Sequence, residues 1–166
     1  ALETFLDNCT WISEDVQKKI KKIIYEGATF ELSKREKGKW YDLRTEIKKV
    51  ENHYPYAWCH GAPGILLGLS YLEDVSFDIE EGLRDLYTNA FGRNHSLCHG
   101  DLGNAVIMKD IATHLKSKLW NEVADYFAFR VVNMYQMSEM KIGLGIEMLT
   151  PELMVGLAGM GYSLLY

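Results

Sequence analysis

The chain has 166 residues, 48% of them hydrophobic and 25% charged, and its 18 basic and 23 acidic side chains give a net charge of −5. That size is one globular domain or a piece of one, at about 100–200 residues per domain, and the composition excludes disordered, collagen-like and low-complexity chains. The acidic balance offers no basic surface for nucleic acid or anionic lipid, and three cysteines are an odd count too sparse for a disulfide scaffold, which points to a reducing, cytoplasmic compartment.

Residues 1–8 carry two acids and no basic cluster, so they do not read as a signal peptide. An amphipathic helix is expected over 13–27. Ser13 would be its N-cap, Glu14 and Asp15 would sit in its first turn, Val16, Ile20, Ile23 and Ile24 would share one face, and Gly27 would end it. Residues 28–57 are rich in charge and hold Gly38 and Pro55, which reads as a long loop with at most one short helix. Residues 64–72, GILLGLSYL, form a short helix that is apolar nearly all round. The stretch 52–72 has no Asp, Glu, Lys or Arg, yet Asn52, His53, Pro55, His60 and Pro63 break it, so it is no membrane span, which needs about 20 consecutive apolar residues.

A second amphipathic helix follows Ser76, with Ile79, Leu83, Leu86 and Ala90 inward and Gly92 at the stop. Another apolar helix spans 103–112. A third amphipathic one covers 118–137, with Leu119, Val123, Phe127, Val131 and Met134 on one stripe. The last, over 156–166, is again apolar. A helix apolar on every side is buried on every side, so the alternation implies an inner layer wrapped by an outer one. No convincing period-2 run appears, so strands are minor at most.

An internal repeat carries the chemistry. Cys59-His60-Gly61-Ala62-Pro63-Gly64 matches Cys98-His99-Gly100-Asp101-Leu102-Gly103 as C-H-G-x-x-G, and Met154-Val155-Gly156-Leu157-Ala158-Gly159 keeps only G-x-x-G. Each copy precedes or opens an apolar helix. The glycines permit positive φ or a close backbone approach where loop becomes helix, and Pro63 suits a first turn. The cysteines admit two readings, packing or metal ligation. Two thiolates and an imidazole make a Cys₂His set, the ligand type of a catalytic zinc with one open position. Cys9 reads as structural or incidental. His53, His95 and His114 lack a motif and read as surface or loop residues, while Trp40, Trp58 and Trp120 read as packing anchors.

AWCHGAPGI at 57–65 and LCHGDLGN at 97–104 resemble the two metal-ligand motifs of the lanthionine synthetase C-like family. GKWYDLR at 38–44 resembles a segment upstream of the first motif in type 2 lantibiotic synthetases, and PELMVGLAGMGYSLL at 151–165 resembles their extreme C-terminus. The resemblance runs in order from about residue 30 to the end and favours the type 2 enzymes over stand-alone cyclases. It implies an all-α chain, about half of an α/α toroid. This would be the C-terminal portion of a bacterial cyclase domain, without the upstream half of the ring or the dehydratase region. The implied zinc ligands are Cys59, Cys98 and His99. His60 becomes a candidate proton donor or enolate stabiliser, or else supports the ligands or caps the helix. Asp101 and Asn104 would orient a ligand or cap a helix.

The implied function is activation of a substrate Cys thiolate for addition to dehydroalanine or dehydrobutyrine in a lantibiotic precursor peptide. The expected partners are that peptide, the missing upstream half of the synthetase and, through apolar faces of the end hairpins, a second copy of the chain. The upstream half carries a His and an Asp implicated in catalysis, so this segment alone is expected to have little activity. Two other readings stand beside this one. One is a module binding zinc and a thiol, glutathione or a peptide, without cyclase activity. The other is a structural zinc domain, which needs a fourth ligand that no motif supplies.

Overall fold

The computed structural model describes residues 2–43, 54–72, 76–134, 139–144 and 150–166. The fold is all-α. Its helices are α1 (Leu2–Asn8), α2 (Glu14–Ser33), α3 (Ala62–Leu69), α4 (Ser76–Asn89), α5 (Asp101–His114), α6 (Lys118–Met134) and α7 (Leu157–Leu165). The strands among the described residues are two residues long, β1 (Arg35–Glu36) and β2 (Lys39–Trp40). The chain divides into two compact units, Ala1–Lys37 and Gly38–Tyr166. No described helix is long and apolar enough to cross a membrane.

In the first unit α1 packs on α2. Ser13 is the extended residue before α2, and its carbonyl accepts the Gln17 N–H, but its side chain makes no capping bond. Glu14 and Asp15 complement the positive end of the helix dipole. Gly27 does not end α2, which runs six residues further. A helix-interior glycine costs only about 1 kcal/mol against alanine, and the residues that follow propagate the helix. No residue of α2 is buried: Ile20 and Ile24 are half-covered, and Val16 and Ile23 are exposed. The expected loop over 28–57 therefore begins in helix. Residues 44–53, with His53 and any short helix there, lie outside the described residues.

The second unit shows the two layers. α5 packs against α3, α6 and α7, and α4 packs against α3, so α3, α5 and α7 form the inner series and α4 and α6 the outer. Ile79, Leu83, Leu86 and Ala90 on and just beyond α4 are fully buried, as the period predicts. Each large aliphatic side chain so covered is worth about 1.5–3 kcal/mol. On α6 the buried stripe is Trp120, Ala124, Phe127 and Val131. It is one residue off the expected stripe in the first two turns. Trp120 turns inward and donates its indole N–H to Glu80, and Leu119 faces out.

α5 is covered nearly all round, with Leu102, Ile107, Met108 and Ile111 fully or almost fully buried. α7 is not: Gly159, Met160 and Ser163 are buried, whereas Tyr162, Leu164 and Leu165 are exposed. Leu102, Val131, Ile142 and Met160 form one apolar cluster that joins α5, α6 and α7 to the loop of residues 139–144.

Candidate metal centre

The three sequence repeats fold into one recurring loop. The residue after the first glycine donates its N–H to a carbonyl seven residues back in every copy: Ala62 to Pro55 (3.2 Å), Asp101 to Asn94 (2.8 Å) and Leu157 to Thr150 (2.8 Å). A β-carbon on Gly61, Gly100 or Gly156 would strike the backbone there. The second glycine, Gly64, Gly103 or Gly159, backs onto the carbonyl of Trp58, Leu97 or Leu153. Of these, Gly61 alone has a left-handed φ, +128°, so close approach, not positive φ, is the shared reason for glycine. The third copy keeps this geometry with Met154 and Val155 where the others have Cys and His. The loop therefore folds without those side chains.

Backbone bonds then set the copies side by side. Trp58 donates its N–H to the Cys98 carbonyl (2.8 Å), and Cys98 donates its own to the Met154 carbonyl (2.7 Å). This brings Cys59, Cys98 and His99 together, with their ligand atoms all within 4.8 Å of one another. Among the described residues no fourth Cys, His, Asp or Glu joins them. Cys59 is exposed, and Cys98 and His99 are half-buried. Burial first, then the neighbouring Cys59, pushes the Cys98 thiol up to about 11. Two adjacent thiols resist joint ionisation, and a divalent cation relieves that repulsion. Cys9 lies in the first unit, outside this group.

The His99 Nε2 stands 2.7 Å from the Gly143 carbonyl. A carbonyl only accepts, so Nε2 carries the proton and Nδ1 keeps the lone pair that a metal requires. The donor set and this tautomer both fit a zinc ion with three protein ligands. His60 places Nδ1 3.0 Å from the Cys59 sulfur, directly beside the group.

Asp101 and Asn104 do other work than capping α5, whose N-cap is Gly100. The Asp101 carboxylate accepts from the N–H groups of Gly92 and Arg93. Buried Asn104 donates to the carbonyls of Tyr56 and Ala90, tying α5 to the first motif's loop and to the end of α4. His95, expected at the surface or in a loop, lies in the loop before the second motif but is fully buried and pairs with Lys141. His114, exposed at the end of α5, sets its ring at a tilt against Tyr71. Trp40 and Trp120 are buried anchors, but Trp58 is exposed beside Cys59. Sequence reasoning missed Asn94 and Ser96. The Asn94 side chain accepts from Ser96 N and Oγ (3.0 and 2.7 Å) and donates to the His99 carbonyl (3.3 Å). Asn and Ser just before the cysteine are the residue types that build such turns, a signal that was available. Gly143 was also missed, and its acceptor is a backbone atom.

An all-α second unit with a Cys₂His group at the mouths of its inner helices defines a chain with three converging donors that could hold a metal ion. The chain belongs to the lanthionine synthetase C-like protein family, whose pattern matches residues 9–166. It is 30% identical over 167 aligned positions to the lacticin 481/lactococcin biosynthesis protein LcnDR2 of Lactococcus lactis subsp. lactis. That alignment covers 89% of this chain and 18% of the relative's length.

Proposed function

We propose that the chain is the zinc-bearing C-terminal portion of a lanthionine-forming cyclase domain in a type 2 lantibiotic synthetase. The observation that carries this is the convergence of Cys59, Cys98 and His99 from two copies of one motif. Membership of the family and the likeness to a lacticin 481/lactococcin biosynthesis protein support it. The substrate is a dehydrated lantibiotic precursor peptide, and the upstream half of the synthetase completes the site.

Cys59, Cys98 and His99 would hold the ion, and among the described residues no fourth Cys, His, Asp or Glu joins them. Zinc, when bound, supplies the Lewis acidity that makes a thiol strongly acidic near neutral pH. Exposed Cys59 marks the side from which the peptide approaches. Addition forms a carbon–sulfur bond at the β-carbon of dehydroalanine or dehydrobutyrine, and the α-carbon then takes one proton, so mass is conserved. His60, whose Nδ1 lies 3.0 Å from the Cys59 sulfur, delivers that proton, a task that imidazole suits by type.

The test uses the intact synthetase and a precursor peptide, with free thiols counted after alkylation. His60→Phe is expected to slow thioether formation by about 10²–10⁴-fold, the range of general acid catalysis, while dehydration and zinc content persist. An unchanged rate would remove His60 as the acid. A zinc-loaded synthetase that binds thiols without forming any thioether would instead favour the binding-module reading.

A further inference from the structure

We infer that the loop of residues 139–144 positions His99 through the Gly143 carbonyl, and that His95 and the third repeat hold this loop in place. The inference rests on the metal centre proposed above. An imidazole that ligates through one nitrogen needs the other protonated and anchored, or the ring drifts between tautomers. Gly143 O, 2.7 Å from His99 Nε2, meets that need.

Glycine is required at 143 by space. A β-carbon there would lie 2.8 Å from His99 Cε1, His99 Nε2 and Ser96 Oγ, and would push the ring off the carbonyl. The loop is fixed at three points. Gly143 donates its N–H to the Val155 carbonyl (2.8 Å). His95 donates its N–H to the Lys141 carbonyl (2.8 Å), and Lys141 N–H donates back to His95 Nδ1 (3.0 Å). Ile142 is buried among Leu102, Val131 and Met160, with Met140 against the same cluster.

The third repeat therefore has a use despite lacking ligands. Met154, standing where Cys59 and Cys98 stand in the other copies, accepts the Cys98 N–H. Val155, standing where His60 and His99 stand, accepts from Gly143. Its backbone buttresses the centre that the other two copies equip.

Zinc affinity of the purified chain, measured by chelator competition, tests this together with the tautomer of His99. Gly143→Ala and His95→Leu are expected to weaken zinc about 10–100-fold, the usual cost of losing a partner that orients a ligand. In cobalt-substituted protein they should shift the ligand-field bands yet keep the thiolate charge-transfer band of Cys59 and Cys98. His95→Asn should restore affinity, because its Oδ1 accepts where Nδ1 does. Long-range ¹H–¹⁵N spectra of the metal-free wild type should show His99 protonated at Nε2. That spectrum decides the matter should a variant fail to fold. Unchanged zinc affinity in both disruptive variants, or His99 protonated at Nδ1, would overturn the positioning role. A wild type that binds no zinc would overturn the metal centre instead, and the tautomer would still judge the loop.

Discussion

Single side chains in this molecule work mostly on backbone atoms. Asp101, Asn94 and Asn104 all bind main-chain groups of loops around the centre. Buried His95 is the clearest case with a titratable group. Burial, the larger effect, lowers its pKa from the ordinary 6.5, the Lys141 ammonium adds to that, and the Asp101 carboxylate opposes. Unfolded His95 takes a proton as pH falls through about 6.5, whereas the folded one resists to lower pH. Between those values the unfolded chain binds more protons, so stability rises with pH. The contribution is complete above about 6.5 and is lost as pH falls towards and through the folded value. Urea midpoints followed from pH 8 to 4.5 are therefore expected to fall less steeply on acidification in His95→Asn than in wild type. Parallel curves would contradict this. That Cys59, Cys98 and His99 lie together was legible, because Cys and His recur in register and the family resemblance singles out these three. The burial of His95 was not, since the backbone it pairs with, at Lys141, lies 46 residues away.

At the scale of elements, the same substitution should have opposite signs in two inner helices. Gly68 on α3 has open space where a β-carbon would go. Gly68→Ala should stabilise by about 0.4–1 kcal/mol by restricting the unfolded chain. Gly103 on α5 presses on the Leu97 carbonyl, so Gly103→Ala should destabilise by about 1–3 kcal/mol, the cost of overpacking. Urea unfolding reads both, and a higher midpoint in Gly103→Ala would refute the close-approach account. Helix type was legible from periodicity: α4 buries the expected residues. Boundaries and rotation were less so. Gly27 failed to stop α2 because a lone glycine is only a weak breaker. The stripe of α6 was displaced because the large Trp120 ring wins the inward place over Leu119.

On the scale of the molecule, α5 shows an inner helix with neighbours on both sides, whereas α7, among the described residues, leaves much of its apolar surface exposed. Tyr162, Leu164 and Leu165 of α7, and Leu119, Tyr126, Phe129 and Val132 of α6, remain exposed. Apolar surface of this kind finds a partner. We propose that the isolated chain self-associates through it, and light scattering should give a mass above that of one chain. A stable monomer at high concentration would contradict this. Layering and the all-α class were legible because apolar and amphipathic segments alternate. The division after Lys37 was not, because it falls inside the charge-rich stretch 28–57, which reads as one loop. The central claim, a zinc ion held by Cys59, Cys98 and His99, is most directly tested by elemental analysis of the purified chain beside Cys98→Ala and Cys9→Ala. About one zinc per chain is expected in wild type and Cys9→Ala and almost none in Cys98→Ala, because a three-ligand centre does not survive loss of a thiolate. Full zinc retention in Cys98→Ala would contradict the account.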